Sequence, residues 1–171
     1  MHFSTLFTHC PACGSEKFVQ NNEKSKRCNS CNFVYYMNPS AAVAAFITNE
    51  SGELLVCVRG KDPEKGTFDL PGGFVDEKES AEQAVNREIG EELHAKVVEV
   101  NYLFSLPNDY LYSGLTIPTL DMFFDCKLDD TKNLQPSDDV EDCFFIPLSE
   151  LKPELFGLNS IRKGVTMFLN R

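Results

Sequence analysis

Five glutamates and one arginine fall close together in this chain: Glu79, Glu82, Glu88, Glu91 and Glu92, with Arg87 among them. Scattered acids would suit a solvated face, but these follow directly on a double glycine, in LPGGFVDEKESAEQAVNREIGEELHA. On a helix, Glu88, Glu91 and Glu92 are spaced by three and four and share one face. Like charges so placed repel one another, and a divalent cation would remove that cost. Hard carboxylate oxygens select magnesium or manganese over softer metals. Magnesium in turn binds diphosphates. The glycines, Gly72 and Gly73, would let backbone approach the same place closely.

A second constellation lies near the start. Cys10 and Cys13 in CPACG, and Cys28 and Cys31 in CNSC, form two Cys-x-x-Cys loops. Each loop lets two thiolates reach one metal, and two loops complete a closed tetrahedral zinc site. Disulfides are the alternative use of these thiols, and they need an oxidising compartment. Four thiolates leave no open position for catalysis, so the zinc is expected to be structural. Cys57, Cys126 and Cys143 sit in apolar, strand-like segments and read as small buried side chains.

These groups need elements to position them. Ser80 followed by Gln83 is a capping-box pattern, which starts a helix there. Ala81, Val85, Ile89 and Leu93 recur every four residues as its apolar stripe, and Ala84 would keep space open on the acidic face. AAVAAFIT and ELLVCVRG read as strands joined by a hairpin at NESG. VVEVNYLFSL, TLDMFFDCKL and EDCFFIPL are further strands. PNDYLYSG and DDTKNLQPSDD read as polar loops. A last helix carries Ile161, Val165, Phe168 and Leu169, with Asn159 as its N-cap. Strands interrupted by helices imply an α/β fold with a mixed sheet flanked by helices.

Composition bounds the remaining options. A chain of 171 residues with 42% hydrophobic residues supports one domain with a real core plus a small appendage. Residues 1–38 are expected to form the zinc ribbon and linker, and 39–171 the main domain. The formal net charge of −10 repels phosphate backbones and argues against extended nucleic-acid binding. The first ten residues lack the pattern of a secretory leader. The longest plain apolar run, Ala41 to Ile47, is too short to span a bilayer. A cytoplasmic protein without membrane attachment is expected.

Gly73, Glu79 and the run REIGEE from Arg87 to Glu92 stand at the spacing of the signature GX5EX7REUXEEXGU, so the chain resembles the Nudix hydrolases. Six identities at fixed spacing arise by chance on the order of once in ten million start positions. FDLPGGFVDEKES and FFIPLSEL extend the resemblance. The chain departs from the signature at His94, where the pattern has glycine, and at Ala95, where it has an aliphatic residue. His94 is read as an altered helix exit, with a ligand-facing role as the alternative.

The resemblance implies an alpha/beta/alpha sandwich that hydrolyses nucleoside diphosphates linked to another moiety. It places magnesium on Glu88 and Glu92, with Glu91 as ligand or partner and the Gly72 carbonyl completing the site. It has Arg87 hold Glu79 and, with Gly73, brace the loop. Glu88 and Asp139 are candidate bases, and Asp138 and Glu141 are alternatives to Asp139. Arg59, Tyr110 and Tyr112 are candidates for substrate binding. The tyrosines would stack on a base whose edge or ribose meets Asn108 and Asp109. A zinc ribbon ahead of such a domain is similar to the NADH pyrophosphatase-like members, although their SQPWPFPxS array is absent. The expected substrate is a small nucleotide, ADP-ribose or NADH first. A cap-type or other nucleic-acid-end hydrolase and an inactive nucleotide sensor are the alternatives, and a homodimer is left open.

Overall fold

The computed structural model describes residues 5–171. The first four residues of the expected ribbon segment, 1–38, lie outside the described residues. The chain divides into two compact units: the described residues up to Pro39 with Asp109–Pro118, and Ser40–Asn108 with Thr119–Arg171.

In the first unit three short strands, β1 (Phe18–Asn22), β2 (Ser25–Cys28) and β3 (Val34–Tyr36), form an antiparallel sheet in the order β1-β2-β3. The buried apolar cluster there is Cys10, Phe18 and Cys28. Lys26 lies across Phe18, with its ammonium 5.1 Å from the ring centre.

The second unit follows from two strands that read as unbroken apolar runs. β4 (Ser40–Ile47) and β5 (Glu53–Arg59) are buried on both faces, so strict alternation is lost. Val43, Ala45 and Ile47 of β4 join Leu55 and Cys57 of β5 on one side. Ala44 and Phe46 join Leu54 and Val56 on the other. The expected hairpin between β4 and β5 does not form. A tight turn joins them and one bridge, Thr48 to Leu54, pairs them, but they then enter different sheets. β4 runs parallel to β8 (Leu115–Leu128), which also pairs with β7 (Val97–Tyr112). β5 lies between β6 (Phe68–Asp69) and β9 (Val140–Pro147), antiparallel to both.

Helix α1 (Ala81–Leu93) covers the first side with Val85, Ile89 and Leu93. Ala84 is also fully buried there, so it adds to the core instead of opening the acidic face. Helix α2 (Asn159–Leu169) covers the second side with Ile161 and Val165. Phe168 stacks on Phe46 at 4.2 Å, and Gly164 lets α2 lie against the Phe123 ring. The result is an alpha/beta/alpha sandwich with mixed strand directions. Truncating Ile89 to Ala would cost about 2–5 kcal/mol.

The helix ends have separate causes. Ser80 caps α1, and its reciprocal pair with Gln83 is complete, together worth about 1 kcal/mol. α1 stops at His94, which is left-handed at φ 53 and ψ 33. For a residue other than glycine this conformation costs about 1 kcal/mol. Asn159 is the first residue of α2 and not its cap. The cap is Leu158, which offers no side-chain acceptor. Asp121 on β8 instead accepts from the Ser160 hydroxyl in the first turn, where a carboxylate suits the helix dipole.

The segment PNDYLYSG is not a loop. β7 runs through it to Tyr112, and Ser113 and Gly114, both at positive φ, turn the chain into β8. Two successive positive-φ residues match the twist of a two-residue hairpin. Among the described residues no helix is long and apolar enough to cross a membrane.

Candidate active site

The segment 71–75 lies along β4 and ties the glycines to the core. Ala45 and Val43 donate their amides to the Pro71 and Gly73 carbonyls, both at 2.8 Å, and Val75 donates back to the Ala41 carbonyl at 3.0 Å. The Pro71 and Gly73 carbonyls thus face β4, and alternation along an extended segment turns the Gly72 carbonyl the other way. Gly72 has φ 147, and a side chain on it would collide with the Val43 carbonyl. Gly73 leaves the space that the Glu88 carboxylate fills. Gly72 is therefore required by close approach to the β4 backbone, and a side chain at Gly73 would have to displace the Glu88 carboxylate.

Glu92 is 6% exposed and accepts the Gly72 amide at 2.9 Å. Burial pushes its carboxyl up to about 9. The Gly72 amide opposes this, and the charges of Glu88, Asp69 and Asp139 reinforce it. Glu88, with a side chain 14% exposed, is also raised by burial, against the pull of Arg87. Glu91 is more open, at 53%.

Arg87 is shared among these acids. Its Nε and Nη2 donate to the two oxygens of Glu79, each at 3.0 Å, and Nη2 also reaches the Phe74 carbonyl at 2.9 Å. Its Nη1 donates to Glu88 at 2.9 Å and Glu91 at 3.0 Å. Glu79 in turn accepts the Asp76 amide at 3.0 Å. One guanidinium therefore faces Glu79, Glu88, Glu91 and, at 3.8 Å, Asp76, while among the described residues no ion pair reaches Glu92. Neighbouring buried carboxyls are hard-oxygen donors, and a divalent cation would favour their charged forms. Glu88, Glu92 and the Gly72 carbonyl could hold one.

The segment before β9 is fastened to the end of α1. Gln135 donates its amide to the Leu93 carbonyl at 3.0 Å and Ser137 to that of Glu92 at 2.8 Å. The Ser137 hydroxyl donates to the Glu91 carbonyl. Asp138 and Asp139 follow, both paired with Lys61, whose ammonium they hold above its ordinary range. Glu141 is exposed on β9.

Arg59 is engaged within the protein. Its guanidinium pairs with Asp69 and donates to the Pro63 carbonyl at 2.7 Å. Sequence reasoning missed Asp69, the half-buried partner that fixes this arginine beside the loop; FDLPGG marks the place without marking the role. Tyr110 is half-buried and Tyr112 exposed, both on β7 in the unit that contains the ribbon. His94 points its Nδ1 at the Gln135 carbonyl, 3.2 Å, and the Ser137 hydroxyl, 3.3 Å.

In the ribbon the four cysteine sulfurs all lie within 4.8 Å of one another. Cys10 and Cys31 are 3.7 Å apart, and Cys13 and Cys28 3.6 Å. A tetrahedron with zinc–sulfur bonds of about 2.3 Å has edges of about 3.8 Å. The cluster fits zinc and is too open for a disulfide. Cys57 and Cys126 are buried, and burial raises both thiols, Cys126 to about 12, so neither is a reactive thiolate.

A family model for the NUDIX domain matches residues 38–166. The NAD-capped RNA hydrolase NudC of Deinococcus radiodurans is 35% identical over 114 residues, 65% of this chain and 40% of that protein. This chain therefore spans about two fifths of that relative's length. A NUDIX hydrolase structure from Nitrosomonas europaea superposes with a TM-score of 0.73 at 23% identity, over 95% of this chain and 90% of that one. The NUDIX domain of Shewanella oneidensis NrtR, in complex with ADP ribose, superposes with a TM-score of 0.63 at 21% identity, over 80% and 90%.

Proposed function

We propose that this chain, which belongs to the Nudix hydrolase family, cleaves the diphosphate of a nucleoside diphosphate linked to a second moiety, with ADP-ribose or an NADH-like dinucleotide as substrate. The observation that carries the reading is the buried pair Glu88 and Glu92 against the Gly72–Gly73 backbone, two neighbouring carboxyls that burial holds toward their uncharged forms until a cation joins them.

In this reading Glu88, Glu92 and the Gly72 carbonyl hold magnesium or manganese, and Glu91 is a further ligand or their partner. The bound ion neutralises the diphosphate and lowers the pKa of an attacking water. Gly73 admits the Glu88 carboxylate, and Arg87 fixes Glu79 and the Phe74 carbonyl so that the loop keeps its shape. Asp139 accepts the proton of the water, held at the end of a loop fastened to α1. Glu88 is the other candidate for that role. Arg59 acts through Asp69 and the Pro63 carbonyl, shaping the edge of the site. The ribbon holds one zinc on Cys10, Cys13, Cys28 and Cys31, and the boundary with the catalytic domain falls near residue 38.

A second reading is hydrolysis at an RNA 5′ end. The name of the Deinococcus radiodurans relative favours it, and a dinucleotide cap offers the same diphosphate. The net charge of −10 favours the free nucleotide. Turnover of ADP-ribose, NADH, NAD-capped RNA and a nucleoside triphosphate, with and without magnesium, tests both. The expected result is magnesium-dependent release of two monophosphates from ADP-ribose or NADH. Faster turnover of capped RNA would select the second reading, and preference for the triphosphate would overturn both.

A further inference from the structure

We infer that His94 is a positioning residue for Asp139, acting through the segment 135–139; the inference rests on Asp139 being the proton acceptor. The last carbonyls of α1 have no partner within the helix. Here the segment 135–137 takes three of them: Leu93 receives the Gln135 amide, Glu92 the Ser137 amide and Glu91 the Ser137 hydroxyl. Because that hydroxyl donates to Glu91, it is free to accept from His94. The Nδ1–H tautomer of His94 then donates between the Gln135 carbonyl and the Ser137 hydroxyl.

Two residues beyond Ser137, the Asp139 carbonyl accepts the Gly60 amide at 2.7 Å. The segment is thus fastened to the end of α1 on one side and to the end of β5 on the other. Asp138, between them, is left-handed at φ 55, a conformation that persists when its surroundings enforce it. His94 is itself left-handed. Glycine would adopt that conformation without strain but would contribute no ring. The ring contacts to Gln135 and Ser137 give the histidine a role that a helix exit alone does not require. A small displacement of Asp139 from its water would slow proton transfer without weakening substrate binding.

The test uses the full chain, with ADP-ribose and magnesium as probe. His94→Gly removes the ring and relieves the backbone, so thermal stability should hold or rise. Turnover should fall about three- to tenfold with KM within about twofold. Hydrogen exchange at the Gln135 and Ser137 amides should quicken, a readout independent of activity. His94→Asn, which tolerates the left-handed conformation and keeps a donor, should recover part of both. In the Asp139→Asn background His94→Gly should have no further effect on turnover. Unchanged exchange in His94→Gly overturns the clamp, whether or not ADP-ribose is turned over. So does an equal loss in both backgrounds, with the role of Asp139 left standing. If Asp139→Asn alone is fully active, the role of Asp139 falls and this inference falls with it.

Discussion

In the ribbon the buried apolar side chains among the described residues are Cys10, Phe18, Cys28 and Met37, and two of the four are proposed metal ligands. In the unit formed by Ser40–Asn108 and Thr119–Arg171, clusters of twelve and ten buried residues lie on the two sides of the strands. The second unit can hold ionisable groups in poor surroundings, such as Glu92, because its apolar burial is large. The ribbon has no such reserve. On the proposed function a metal would be a condition of folding in one region and a condition of chemistry in the other.

The largest expected effect follows from that contrast. Binding of structural zinc is worth about 10–16 kcal/mol in small zinc-finger peptides, more than so few buried side chains can replace. Cys28→Ser, or stripping with a strong chelator, should remove hydrogen-exchange protection from β1, β2 and β3. Protection of α1, β4 and β5 should persist. Metal analysis of untreated protein should give one zinc per chain. A ribbon that keeps its protection without metal would break the comparison, because its folding would then rest on burial after all.

In the catalytic unit the expectation is reversed. Glu88→Gln and Glu92→Gln keep shape and remove the acid that a bound cation would hold in its charged form, so magnesium-dependent turnover should fall by at least about a hundredfold. Thermal stability in the absence of metal should change little, because burial already favours the uncharged form of both carboxyls and the amide keeps their shape. Steady-state kinetics and a thermal melt on the same preparations check both halves. Unchanged turnover in both variants would remove the acids from the chemistry.

How much of this was legible in the sequence differs along the chain. The start of α1, its apolar stripe and the four cysteines are local patterns, and the structure has them where spacing puts them. Partner choice was not legible. AAVAAFIT and ELLVCVRG adjoin a turn, yet β4 pairs in parallel with β8, because apolar faces specify burial and not the neighbour. PNDYLYSG reads as a loop from its proline, asparagine and glycine, but Ser-Gly makes a two-residue turn and the flanking residues continue both strands. The fastening of 135–137 to α1 was invisible because its partners are backbone carbonyls, which leave no mark on composition. Asn159 misled because the helix starts one residue earlier than a cap there would allow, with Leu158 as its cap, and its first turn is tied through Ser160 to Asp121, distant in sequence.

The smallest expected effect concerns the hairpin tip, Asp109–Pro118, which clusters with the ribbon. Tyr110 and Tyr112 are two residues apart on β7, so their side chains leave the strand on the same side. Tyr112 is 59% exposed, which core packing does not explain. Phe123 and Phe124, by contrast, are buried in the two opposite clusters and have no surface left for a ligand. A tyrosine stacked on a base contributes about 1–3 kcal/mol, nearly equal in the ground and transition states. Replacing Tyr110 and Tyr112 together with Ala should therefore raise KM for ADP-ribose about 5- to 150-fold and leave turnover within about twofold. The hairpin keeps its Ser113–Gly114 turn in that variant, so near-native thermal stability is the control. If KM does not move, the tyrosines lie outside the substrate site, and the hairpin belongs with the ribbon in function as well as in packing.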